Sequence, residues 1–132
     1  MAAAVTPVKA YYNPDNTQQA FIAYFKIVLS ANYGGGSSHG DTLNLSKLGV
    51  PSRSVPFRVE IFEAPAAGVS QSGFEFGYNP GTTQANGVLQ VFGTPATGSA
   101  TTPLTEYTQG AAYSGALTGA VLYGQAWFLA LN

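Results

Sequence analysis

The chain's only histidine, His39, stands between Ser38 and Asp41, the one stretch where a hydroxyl, a base and a carboxylate lie close together. Hydrolysis by such a trio needs three groups that converge beside an oxyanion hole, and they usually come from separate elements. Neighbours on the flexible run Gly34-Gly35-Gly36-Ser37-Ser38-His39-Gly40 alternate in direction instead, so no catalytic site is expected there. One histidine, no cysteine and scattered carboxylates cannot supply the ligands of a zinc site from one chain. Across a subunit axis, His39 or Asp41 could still build one by symmetry. The glycines lack the Gly-Lys-Ser/Thr ending of a phosphate-cradling loop, and no dinucleotide spacing is present. Glu60, Glu63 and Glu75 could serve as glycosidase carboxylates, but alternation sends Glu60 and Glu63 to opposite faces of a strand. They read as solvated or edge-protecting charges. Asn44-Leu45-Ser46 is a formal glycosylation acceptor without an export signal to give it meaning. No cofactor, no resident metal and no enzymatic activity are expected.

Composition narrows the partners. The 132 residues are 45% hydrophobic, enough for one domain with a real core. Only 8% are charged, where about 25% is usual, so something other than charge must keep the exterior wet or covered. Five Lys and Arg against six Asp and Glu give no basic patch, and nucleic acid is excluded as a partner because its binding rests on clustered cations. The absence of cysteine fits folding in a reducing cytoplasm. Met1 to Pro7 has neither a basic region nor a long apolar run and is not a signal peptide. The uncharged stretch Ala111 to Leu131 is interrupted by Ser114, Gly115, Thr118, Gly119, Gly124 and Gln125 and has no basic flank, so a membrane partner is not expected either.

The elements that must carry these residues are strands. From Ala20 to Tyr33 the period is two, with Phe21, Ala23, Phe25, Ile27 and Leu29 on one parity. Val8 to Tyr12, Asp41 to Ser46, Phe57 to Glu63, Gly73 to Tyr78, Val88 to Phe92, Leu104 to Tyr107 and Val121 to Leu131 read as further strands. Phe57, Val59 and Ile61 are expected inward, and Trp127 is expected to be buried. Asn13-Pro14-Asp15-Asn16, Asn79-Pro80-Gly81 and Asn86-Gly87 carry turn chemistry. The fold class is all-β: an antiparallel β-sandwich or jelly roll of about seven to eight strands in a single domain. Residues 1–12 form an N-terminal arm and first short strand, and residues 13–132 the sandwich.

The segment Tyr33-Gly34-Gly35-Gly36-Ser37-Ser38-His39-Gly40-Asp41-Thr42-Leu43-Asn44-Leu45-Ser46 resembles small tailed-bacteriophage capsid decoration, or cement, proteins. Gly40-Asp41-Thr42-Leu43-Asn44-Leu45 matches their Gly-Asp-x-Leu-x-Leu core, and a Gly-x-Phe-x-Phe-x-Tyr-like stretch ending in Asn79-Pro80-Gly81 follows. The likeness spans roughly Phe21 to Val91, and the C-terminal third departs from it.

The resemblance implies a non-enzymatic virion protein, made in the host bacterial cytoplasm, on the capsid exterior. Its partners would be the major capsid protein and further copies of itself, most simply a trimer. A charge-poor surface suits faces shared among neighbours, since burying charge is costly. The residues expected to touch capsid or sister subunits are Val5, Val8, Tyr11 and Tyr12 of the N-terminal segment, and Tyr33, Gly35, His39 and Asp41 at the glycine loop. A carbohydrate- or receptor-binding module of a phage fibre is the alternative, carried by the eight tyrosines and the tryptophan.

Overall fold

Alternation of apolar and polar residues at period two is what the chain uses to build nearly all of its structure. The computed structural model describes residues 2–12, 20–34, 39–52, 54–64, 72–93 and 104–129. Within them run β1 (Ala2–Tyr12), β2 (Ala20–Val28), β3 (Asp41–Leu43), a short 3-10 turn (Leu45–Leu48), β4 (Arg58–Glu63), β5 (Glu75–Asn79), β6 (Gly87–Gly93), β7 (Thr105–Glu106), one helical turn (Gly115–Thr118) and β8 (Leu122–Leu129). The all-β, single-domain expectation holds.

The strands join in the order β4-β8-β2-β1-β3-β6-β5, with β7 on β6. All neighbours are antiparallel except β1 and β3, which pair through Ala2 with Thr42 and Ala3 with Leu43. The sheet is continuous, yet it rolls so that β4-β8-β2-β1 and β3-β6-β5 face each other like the layers of a sandwich. Phe25, Ile27, Leu122 and Phe128 from the first half and Leu43 and Leu89 from the second share one core. Asp41–Leu43 and Thr105–Glu106 occupy successive stretches of the same edge of β6.

The N-terminal segment differs from the expected arm. Ala2–Tyr12 is one eleven-residue strand between β2 and β3, with Ala3 and Val5 buried. Pro7 is tolerated in this interior strand because the register shifts between Pro7 and Lys9, a bulge that needs no amide from proline.

Strand β8 inverts the expected parity. Leu122, Gly124, Ala126 and Phe128 are buried, while Tyr123, Gln125, Trp127 and Leu129 point outward. The cause is Phe25, fully buried on the adjacent strand: a Cβ on Gly124 would lie 2.3 Å from its ring, so only small residues fit inward there. Phe57, also expected inward, precedes β4 and is 57% exposed.

The rolled sheet does not close by hydrogen bonds between β4 and β5. A clasp spans this seam: Ser72 donates its amide to Glu63 Oε1 at 2.9 Å and its hydroxyl to Oε2 at 2.5 Å. The Glu63 carboxylate thereby occupies an edge that would otherwise invite another strand. The uncharged Ala111 stretch folds as the helical turn and β8, and among the described residues no helix is long and apolar enough to cross a membrane.

Candidate functional site: a tyrosine and carboxylate cluster and an aromatic outer sheet face

Two regions gather the side chains with chemical or binding capacity. The first is built around Asp41, next to Gly40. Gly40, at φ 120°, brings the chain against β6 so closely that a Cβ would sit 2.3 Å from the Leu89 carbonyl oxygen. That approach turns Asp41 into the interior, where it is fully buried. Its Oδ2 accepts from Ser30 Oγ and from the Tyr113 hydroxyl, each at 2.7 Å, and its Oδ1 accepts from the Gly34 amide at 2.8 Å. Three donors from two distant parts of the chain thus satisfy a carboxylate that water does not reach. Asn44 follows, and its side chain accepts from the Ser46 amide at 3.1 Å, so the formal glycosylation acceptor caps the 3-10 turn.

Tyr33 completes the gap on the β6 edge between β3 and β7. Its hydroxyl accepts from the Val91 amide at 3.3 Å and donates to Glu106 Oε1 at 2.6 Å. Its ring meets Tyr107 and Tyr113 edge-on, with centroids 5.7 and 5.9 Å away, and Phe74 extends the cluster through Tyr107. Burial, reinforced by the hydrogen bond to Glu106, pushes the Tyr33 hydroxyl far above the ordinary tyrosine range; burial and Asp41 do the same to Tyr113. Both hold their protons as fixed donors. At the rim, exposed His39 lies with Nδ1 3.6 Å from Glu106 Oε2.

Of the trio suggested by sequence, Ser38 lies outside the described residues, and His39 and Asp41 do not come together. Asp41 faces inward to Ser30 and Tyr113, whereas His39 faces outward to Glu106. Tyr33, Asp41 and Val5, expected as contact residues, are corrected: each is buried within its own chain and has almost no surface to offer a neighbour. Tyr113, named for its residue type, is likewise interior. Val8 is 60% exposed and His39 is exposed, so both remain available. Tyr11 and Tyr12 stand opposite Ile22 and Phe21, but their side chains, like Gly35, lie outside the described residues. Glu106 was missed because its partners sit 73 and 67 positions earlier in the chain.

The second region is the outward side of β4-β8-β2-β1, and the register arranges it in rows. Phe62, Tyr123, Lys26 and Thr6 form one row; Glu60, Gln125 and Tyr24 form the next; Arg58, Trp127 and Ile22 form the third. Phe62 stacks on Tyr123 with centroids 6.3 Å apart. Arg58 lies 4.9 Å over the Trp127 ring and pairs with Glu60. Val28 at 51%, and Phe62 and Leu129 at 45%, leave much apolar area open to solvent. Aromatic and arginine side chains with few free charges are the composition of an interface centre. Sequence reasoning missed this face because it assigned Trp127 to the core.

Two shallow clefts adjoin these regions. One of about 360 Å³ follows the seam, lined by Ile61, Glu63, Phe74 and Phe76. The other, of about 310 Å³, lies along Phe74, Glu106 and Tyr107. Compared with family models, with curated proteins and with solved structures, the chain finds no match.

Proposed function

We propose that the chain is a non-enzymatic structural protein of a phage virion, binding the outside of the capsid and reinforcing it by bridging major capsid subunits. The observation that carries this reading is the outer sheet face, where Phe62, Tyr123, Trp127, Val28 and Leu129 are presented and only Lys26, Arg58 and Glu60 are charged among the described side chains. Such a patch is a liability on a free monomer and an asset on a molecule covered by neighbours. The Gly40-Asp41-Thr42-Leu43-Asn44-Leu45 stretch supports it through the resemblance. Attachment would come from buried area, at about 25 cal/mol per Å² less the entropy of association, multiplied by several contacts per oligomer.

Purified protein added to phage heads lacking a decoration layer should bind to saturation and raise the temperature at which they rupture. Absence of binding to any head lattice overturns the reading. One observation favours a second reading, a carbohydrate- or receptor-binding module: Trp127 faces outward on the same sheet face as the Phe62–Tyr123 stack, and outward rings can stack on sugars. Glycan-array binding abolished by Trp127→Ala would select it.

A further inference from the structure

We propose that the outer face of β4-β8-β2-β1 is a self-association surface, on which a second copy of this chain packs about a two-fold axis parallel to the strands. This deepens the reading above by naming the occupant of that face, and it replaces the trimer implied by resemblance with a pair.

The register carries the argument. Two in-plane axes can lay this face on a copy of itself. An axis along the strands exchanges β8 with β2 and keeps each row opposite its own equivalent. Tyr123 of one copy then meets Lys26 of the other, and Trp127 meets Ile22, each twice by symmetry. Lys26 is exposed and has no ion-pair partner among the described residues, and in this orientation it is set against the other copy's Tyr123, whose ring Phe62 already stacks upon. An axis across the strands exchanges the first row with the third and places Lys26 over Ile22, burying an unpaired ammonium, which is costly. The other two charges among the described side chains of the face, Arg58 and Glu60, neutralise each other within one copy. Among these described side chains, the face is complementary to itself in one orientation only.

Area agrees with a reversible pair. Four strands about 4.8 Å apart and about eight residues of 3.4 Å rise cover roughly 500 Å² per copy, or roughly 1,000 Å² for both. That meets the lower bound of a specific interface, near 1,000 Å².

Sedimentation equilibrium from 1 to 500 μM tests it. The expected mass at the upper end is twice the 13.7 kDa of one chain, falling to one on dilution. Tyr123→Lys sets like charges against each other twice and should hold the chain single throughout, with an unchanged circular dichroism spectrum. Thr118→Lys, on the exposed helical turn, should pair as the parent does. If Tyr123→Lys fails to fold, Gln125→Cys in this cysteine-free chain decides: a short bismaleimide should link two copies through the central row, and Thr118→Cys should not link. A single species at 500 μM, a trimer, or pairing unaffected by Tyr123→Lys overturns the proposal. A chain that stays single yet coats heads sinks this pairing and leaves the decoration reading standing; a paired chain that binds no head does the reverse.

Discussion

The Asp41 cluster and the outer sheet face use polar and apolar residues in opposite ways. Around Asp41, groups able to do chemistry are spent on one another: Asp41 on Ser30, Gly34 and Tyr113, and Tyr33 on Glu106 and Val91. On the outer face, groups with little chemistry stay uncovered, as Val28, Phe62 and Leu129 do. Reactivity on paper and availability in space are separate properties here. The cluster ties Ser30, Gly34 and Tyr113 to a broken sheet edge, whereas the face offers area.

Removing the centre of the first region should have the largest effect. Asp41→Ala strands two buried donors, the Gly34 amide and the Tyr113 hydroxyl, leaves Ser30 only its Asn32 acceptor, and should cost about 3–5 kcal/mol, much of a domain's ordinary margin. Asp41→Asn retains acceptor capacity and should recover part of it, as chemical denaturation would show. If Asp41→Ala costs no more than Leu129→Ser on the exposed face, the contrast between the regions is broken. Gly124→Ala sharpens it from the other side of β8: the added methyl meets the buried Phe25 ring, for an expected loss of about 1–3 kcal/mol with the outer face untouched. The midpoint of denaturation should fall while the slope with denaturant stays constant.

Alternation made most strands legible, because Phe25 and Ile27 on β2 and Leu89 and Val91 on β6 announce their inward side without help from other strands. Strand β8 defeated the same logic: Tyr123 and Trp127 face outward while Gly124 and Ala126 face inward, since Phe25 fills the space inside Gly124, and that demand is invisible along β8 itself. Asp41 read as an accessible loop residue for a similar reason. Its local neighbours are glycine, serine and histidine, while Tyr113, which fixes its burial, lies 72 positions away. The Ala-rich start read as an arm because small side chains look unanchored until β2 and β3 flank them. What the sequence concealed in each case was a constraint imposed by a distant partner.

Proton binding offers a subtler contrast. Tyr33 and Tyr113 are pushed up by burial and by the carboxylates they serve, and Tyr78, whose buried hydroxyl has no partner, is pushed up by burial alone. A raised tyrosine keeps its proton in the fold and loses it in the unfolded chain above pH 10. The associated stability is fully present below pH 10 and is lost above it, by about 1.4 kcal/mol per pH unit for each such tyrosine. Absorbance near 295 nm should show these phenols ionising together with unfolding. Tyr33→Phe, which also leaves Val91 without an acceptor, should flatten the alkaline slope by one tyrosine's share. An unchanged slope means that Tyr33 titrates freely in the fold.

The smallest effect belongs to the rim, where the two regions' logics meet in His39. Its imidazole is 78% exposed and touches the cluster only through Glu106, whose other oxygen is already engaged by Tyr33. An exposed pair of this kind contributes little, so His39→Ala should shift stability by less than about 0.5 kcal/mol. The cluster should stay intact, because Glu106 still accepts from Tyr33, and the substitution should leave any self-association unchanged, since His39 lies off the outer face. A loss comparable to that of Asp41→Ala would show instead that the cluster depends on its rim, through Glu106, as much as on Asp41 at its centre.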